Sequence, residues 1–569
     1  MKNKQLLSQI VITGWCLLVI AGQGIFSSEI KWLEYFSVLW VISGILLIEP
    51  SDAIGLLILT YPAFMCEKHR EWAWVQPLLV LAFLFRILFF DSQLSRIKKL
   101  TVCLVGVITL VVSLPSDATE LIGKLFLLPE RQAVLLLARP DASWFTFPLR
   151  ASIDRALIAM LVTVAVIRRT MFSSHRIWLA WWLSAVIAIV TTLCGVLLPW
   201  QKPHHFLGTT NYPFHEMRLF HGPGYNIHFF SLLVIISLPS FFLPVHDKLF
   251  YLRLASIGVL PPILFIHQRA FTLSILMILL CSILFILLRH LERGYNPFLS
   301  AINSPGSVKL KHVVCLVSGL LLTCAWFIKM GGLDSNSLIR QQLSRRWKTF
   351  FTMDAIESSG VILPSTNKKP SLPSTPPISI SGGDSVSRTP VGNNPTDKAN
   401  DIACTSSPPI IVTNVPSMSG VSQDRRKLPL PYHLKNWIIR YDPARGEMWW
   451  LCIKTCVEKY LWYGAGAGTW GRFHRLQPRP KKHPYYAHLH NTYLDIMFEY
   501  GIIPSVVIFM LCAIACFKII SGKTCISRYW LFYIIGAGVM AAGQHLLYSF
   551  STTVLIFPIF VVIWRAIFT

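Results

Sequence analysis

The densest run of chemistry-bearing side chains is His488-Leu489-His490-Asn491, which opens a segment continuing through Asp495, Glu499, Tyr500, Gly501 and Pro504. A neutral imidazole can accept a proton from a hydroxyl near neutral pH, which makes His488 and His490 candidates for a catalytic base. A helix starting at Asn491 puts Asn491, Asp495 and Glu499 on one face by the i, i+4 rule. Carboxylates entering a membrane helix are expensive and usually mark a functional interior. The competing reading keeps both histidines as interfacial residues with structural hydrogen bonds.

Two arginines stand out upstream. Arg269 sits in the tight turn His267-Gln268-Arg269 between apolar runs, and a guanidinium is shaped to grip phosphate oxygens with two parallel bonds. Its alternative is snorkelling to an interface. Arg218 lies in a polar stretch running from His215 to Gly224, where Glu216 could simply pair with it. Familiar metal and nucleotide signatures are missing. There is no Walker A loop, Cys452-x3-Cys456 lacks a matching second ligand pair, and His204-His205 is a weak signal, so no metal and no cofactor are expected. Cys404, Cys452 and Cys456 leave one disulfide open.

The elements that must position these residues follow from composition. The 569 residues are 53% hydrophobic and only 14% charged, with mean hydropathy +0.54 and net charge +25. A soluble domain carries about a quarter charged residues, so the composition excludes an ordinary cytosolic enzyme, and the basic excess lacks the solvated surface that nucleic acid needs. About fourteen stretches approach the roughly 20 apolar residues that a span requires. The fold expected is an all-α polytopic membrane protein of about 12–14 transmembrane helices. The first segment has no Ala-x-Ala site and reads as a retained helix. Clusters such as Arg96-Ile97-Lys98-Lys99, Arg168-Arg169 with Arg176, and Lys518 with Lys523 all fall on one side of that count, which puts both termini in the cytoplasm.

Three regions result: an N-terminal transmembrane bundle over 1–332, a large periplasmic loop over 333–489, and C-terminal transmembrane helices over 490–569. The loop opens with a basic amphipathic segment carrying Ile339, Leu343, Trp347 and Phe351, and contains a Pro/Ser/Thr-rich insert at about 358–422 that cannot build a core. From Asp334 to Leu489 it holds 21 Lys+Arg against 10 Asp+Glu, which suits an anionic partner. Arg218, Arg269 and His490 follow the seventh, ninth and eleventh spans, so all three reach one membrane face. Two cations and a base there would suit a lipid-linked diphosphate and an incoming hydroxyl.

These residues resemble a known group. His490-Asn491, nine residues and Gly501 are similar to the hallmark of the O-antigen ligase and O-antigen polymerase superfamily of bacterial envelope glycosyltransferases. Arg445-x3-Trp449 with Gly464-Ala465-Gly466, the turn Gln268-Arg269-Ala270, and Arg218 ahead of Gly222-Pro223-Gly224 resemble its further motifs; Pro504 departs from the usual tail. The resemblance implies a GT-C-like, inverting, metal-independent transferase of the bacterial inner membrane with its active site facing the periplasm. The donor would be a glycan on undecaprenyl diphosphate and the acceptor a sugar hydroxyl of lipid A–core, with membrane lipids as surroundings. His490 would be the base, Arg218 and Arg269 would hold the diphosphate, and Asn491, Asp495, Glu499, Arg445 and His488 would support them. A Wzy-type polymerase, a protein O-oligosaccharyltransferase and, from another class, a transporter are the alternatives.

Overall fold

The structure, a computed structural model, describes residues 2–21, 31–61, 75–115, 118, 147–197, 276–277, 280, 321, 434–435, 438, 445–476, 488–522, 526–527, 529–547 and 550–568. Arg218, Arg269, His204, His205, Cys404, the basic segment around Trp347 and the Pro/Ser-rich insert lie outside them. The chain divides into two compact units, one of Met1–Trp347 with Leu430–Thr569 and one of Lys348–Pro429. All the helices below belong to the first.

Among the described residues thirteen α-helices form: α1 (Lys2–Val19), α2 (Lys31–Leu47), α3 (Pro50–Leu59), α4 (Val75–Phe85), α5 (Arg96–Ser113), α6 (Phe147–Ile167), α7 (Ser174–Leu197), α8 (Gly446–Lys459), α9 (Trp470–Leu476), α10 (Thr492–Tyr500), α11 (Ile502–Ile520), α12 (Trp530–Ala541) and α13 (Phe550–Phe568). Their starts have local causes. Pro50 stands in the first turn of α3, where its fixed φ is already helical and its missing N–H costs nothing. Ser95 caps α5 by accepting from the Lys98 N–H, and Asn491 caps α10.

Large aromatics fill the core. Trp15, Trp181, Trp530, Tyr61, Tyr533, Phe83 and Phe557 are fully buried. Burying one such side chain contributes roughly 1.5–3 kcal/mol, and the indoles also find polar partners. Trp15 Nε1 donates to Leu59 O at 2.9 Å, pinning α1 to α3, and Trp181 Nε1 donates to Leu555 O at 2.8 Å, pinning α7 to α13. A second, smaller core holds Met448, Trp449, Cys452, Cys456, Trp470, Leu489 and Phe498. It packs α8, α9 and α10 together beneath the His488–His490 turn.

The polytopic membrane fold is corrected here. Among the described residues one helix, α11, is long and apolar enough to cross a membrane. A second candidate exists only if Pro148–Ile167 and Arg169–Ser184, bent by 101° against each other, count as one span. Several apolar helices are short: α3 has 10 residues, and α4 with the π-helical turn that carries it to Phe90 runs Val75–Phe90, so they rise only about 15–24 Å where a span needs about 30 Å. The single run expected from 492 to 517 breaks at Gly501, where φ is 90°. Several of the cations read as topology signals are engaged with the protein itself. Arg168 pairs with Asp91, Arg176 pairs with Asp52 at 2.7 Å, and Arg565 donates to Ala165 O at 2.7 Å. The multi-pass inner-membrane placement falls with the span count that carried it. What the described residues show is a helical assembly with apolar helices of mostly sub-span length.

Candidate metal site

The turn before α10 is built by alternation. Leu489 is fully buried in the smaller core, which leaves His488 and His490, two residues apart, on the other side of the chain. His490 adopts φ 52°, a left-handed conformation uncommon outside glycine but more accessible to His than to most residues. That twist carries the chain from the turn into the extended N-cap Asn491. The third member comes from elsewhere: His545, 2% exposed, lies in the loop between α12 and α13.

Together the rings form a tight cluster. His488 and His545 centroids are 3.6 Å apart, His488 and His490 are 4.1 Å apart, and His490 and His545 are 5.1 Å apart. One ring nitrogen from each can be chosen so that all three lie within 4.8 Å of one another. Two nitrogens bound to one tetrahedral ion at 2.0–2.1 Å would sit about 3.4 Å apart. Closing the cluster on an ion therefore needs side-chain adjustments of about 1 Å, within reach of small χ rotations. Imidazole nitrogen suits zinc, copper, iron and nickel, and three such ligands leave a position for water.

A frame of hydrogen bonds holds the two ligand-bearing segments. The peptide of Leu489 is fixed at both ends, its N–H donating to Asp495 Oδ1 at 3.3 Å and its carbonyl accepting from Trp449 Nε1 at 2.7 Å. Asn491 Oδ1 accepts from the N–H groups of Tyr493 and Leu494, both at 3.1 Å, while its Nδ2 donates to Ala542 O at 2.9 Å. Arg445 donates to Gly543 O at 3.3 Å. Outside this frame, Tyr493 OH donates to Gly538 O at 2.5 Å, a link between α10 and α12 that touches neither histidine-bearing turn. Thr492 grips the peptides on either side of His545, reaching Gln544 and Leu546.

The carboxylates stand behind this frame. Glu499 pairs with Arg155 of α6 at 3.2 Å and accepts from the Gly468 N–H at 2.9 Å, and Arg155 also donates to Leu547 O at 2.5 Å. Burial raises the Asp495 carboxyl well above the usual carboxylate range; the nearby Glu499 charge adds to this, and the Leu489 N–H opposes it. Cys452 and Cys456 are free and buried with sulfurs 4.0 Å apart, and burial pushes the Cys452 thiol up.

The structure thus brings His488, His490, Asn491, Asp495 and Arg445 into one locality and joins Glu499 to it through Arg155. Asn491 caps a helix and tethers a loop instead of lining a helix face. Arg218 and Arg269 lie outside the described residues. Sequence reasoning missed His545 and Thr492. The available signal was Gln544-His545, a polar pair interrupting the apolar run from Trp530 to Leu547.

No protein-family model, curated protein or solved structure matches this chain. The resemblance to O-antigen ligases and polymerases is corrected by the fold, because among the described residues a single helix is long and apolar enough to cross a membrane. The His-Asn-x9-Gly pattern is accounted for locally, by a helix cap at Asn491 and a glycine-dependent break at Gly501. Glycan transfer by a membrane-embedded glycosyltransferase is withdrawn, because its catalytic logic required a polytopic bundle presenting lipid-linked substrates, and so is the transporter alternative. No described residue bears on the undecaprenyl-diphosphate donor or the lipid A–core acceptor; Arg218 and Arg269, on which the diphosphate expectation also rested, lie outside the described residues.

Proposed function

We propose that this protein binds a divalent transition-metal ion through His488, His490 and His545. The observation that carries the proposal is the convergence of three imidazoles, from segments some 55 residues apart, within 4.8 Å. It departs from the sequence expectation of no metal because His545 supplies the ligand that the His-x-His turn lacks. Three neutral ligands leave the ion's charge undiminished and a coordination position open. An ion held in this way lowers the pKa of bound water toward about 7.

The 3.6 Å spacing of the His488 and His545 rings favours a second reading, a packed imidazole cluster that serves the fold without a metal. Equilibrium dialysis of the chelator-treated full chain against Co²⁺ or Zn²⁺ separates the two. The metal reading expects one equivalent retained, lost in His545→Ala and in His490→Ala, and competed by added protons as imidazoles protonate. No stoichiometric retention by the wild-type chain would establish the packed cluster instead.

A further inference from the structure

Thr492 occupies an unusual position relative to the histidine cluster. It is the first residue of α10, two residues after His490, and is 5% exposed. Its backbone N–H donates to Gln544 O at 2.9 Å, and its hydroxyl donates to the same oxygen at 2.6 Å. The hydroxyl oxygen accepts from the Leu546 N–H at 2.7 Å. One side chain therefore grips the peptides before and after His545, at sequence distances of 52 and 54 residues.

The chemistry of this grip is restrictive. A hydroxyl can donate once while accepting, which is what the two contacts demand, and an aliphatic side chain of the same shape can do neither. The backbone N–H is one of the donors that a helix start leaves without an intrahelical partner, so its use here costs α10 nothing. With both flanking peptides held, the loop has little freedom to rotate about His545. Of the other bonds to this loop and to α12, those from Asn491 to Ala542, from Arg445 to Gly543 and from Tyr493 to Gly538 act upstream of Gln544, and the one from Arg155 to Leu547 acts two residues beyond His545.

We infer that Thr492 is the positioning residue that fixes the His545 imidazole against His488 and His490. The inference rests on the metal reading for its consequence, but the placement of His545 can be measured without a metal. Residues supporting metal ligands typically change affinity by about 10–100-fold when lost. Thr492→Val is expected to weaken Co²⁺ binding by that factor and to alter the visible Co²⁺ spectrum, while Thr492→Ser restores both. Tyr493→Phe is the control, because it removes another α10–α12 bond without touching a peptide beside His545. It is expected to lower thermal stability but leave Co²⁺ affinity within about threefold.

A second measurement follows carbethoxylation of His545 by diethyl pyrocarbonate, read by peptide mass spectrometry on the metal-free full chain. Thr492→Val is expected to raise the rate about tenfold, consistent with release of a flanking clamp, with Thr492→Ser and Tyr493→Phe near wild type. If wild-type protein binds no Co²⁺ but Thr492→Val still exposes His545, the metal reading fails and the positioning role stands. Equal reactivity of His545 in wild type and Thr492→Val overturns the positioning role, as does equal loss of Co²⁺ affinity in Thr492→Val and Tyr493→Phe.

Discussion

At the scale of single residues, Asn491 shows how one side chain can carry two jobs. Its oxygen satisfies the first N–H groups of α10, and its amide nitrogen reaches the Ala542 carbonyl next to α12. Replacing an N-cap with Ala typically costs about 0.5–2 kcal/mol. Asn491→Ala should fall toward the upper end of that range because the Ala542 link goes too, whereas Asn491→Ser keeps a capping oxygen and loses only the link. Urea unfolding should therefore rank wild type above Asn491→Ser above Asn491→Ala; equal losses in the two variants would deny the cap its share. That a helix opens at Asn491 with Asp495 and Glu499 following at helical spacing was legible in the sequence, because helix spacing is local information. His545 was not. Its relation to His490 exists only through a loop contact that no periodicity encodes, and the same holds for Thr492, which reads as an ordinary helix-start residue.

At the scale of elements, the sequence showed where apolar segments lie but overstated how far each runs. The segment from Thr492 to Phe517 reads as continuous, yet α10 ends at Tyr500 and α11 begins afresh at Ile502. Gly501 makes the break possible. At φ 90° a side chain is strained, and an added Cβ would come within 2.7 Å of the Trp462 backbone. Gly464, at φ 68°, is tighter still, because its Cβ would lie 2.2 Å from the Glu499 carbonyl oxygen. Neither neighbour is the flexible end of a side chain, so relief requires moving one element off another. Strain in this region of φ alone costs on the order of 1–3 kcal/mol, and the overlap adds to it. Gly464→Ala should therefore lower the melting temperature more than Gly501→Ala, and both should do so clearly. A Gly464→Ala variant that melts with the wild type would show that the 464–468 loop does not pack on the end of α10 as described.

At the scale of the whole described assembly, elements far apart in sequence are joined through buried polar links. Trp181 reaches the Leu555 carbonyl, and Arg155 reaches both Glu499 and the Leu547 carbonyl. Beside Arg155 on α6 sits Asp154, paired with Arg150 at 3.5 Å. Burial raises the Asp154 carboxyl to about 6, although Arg150 and Arg155 both pull it down. A carboxyl whose pKa is higher folded than unfolded holds a proton that the unfolded chain has already released. Stability is then lost as pH rises between the two values, here from about 4 to about 6, and stays reduced above that window. The shift corresponds to an effect on the order of 3 kcal/mol at most. Asp495, raised in the same direction, adds a loss of the same sign. Asp154→Asn removes the titration while keeping the side-chain shape, at the expense of the Arg150 pairing. Its stability relative to wild type should therefore improve between pH 4 and pH 7, with the wild-type curve falling more steeply over that interval. Denaturation midpoints of the two proteins at pH 4, 5, 6 and 7 provide the measurement. Parallel curves across those four values would mean that Asp154 ionises as freely in the folded chain as in the unfolded one, and that burial on α6 imposes no charge penalty there.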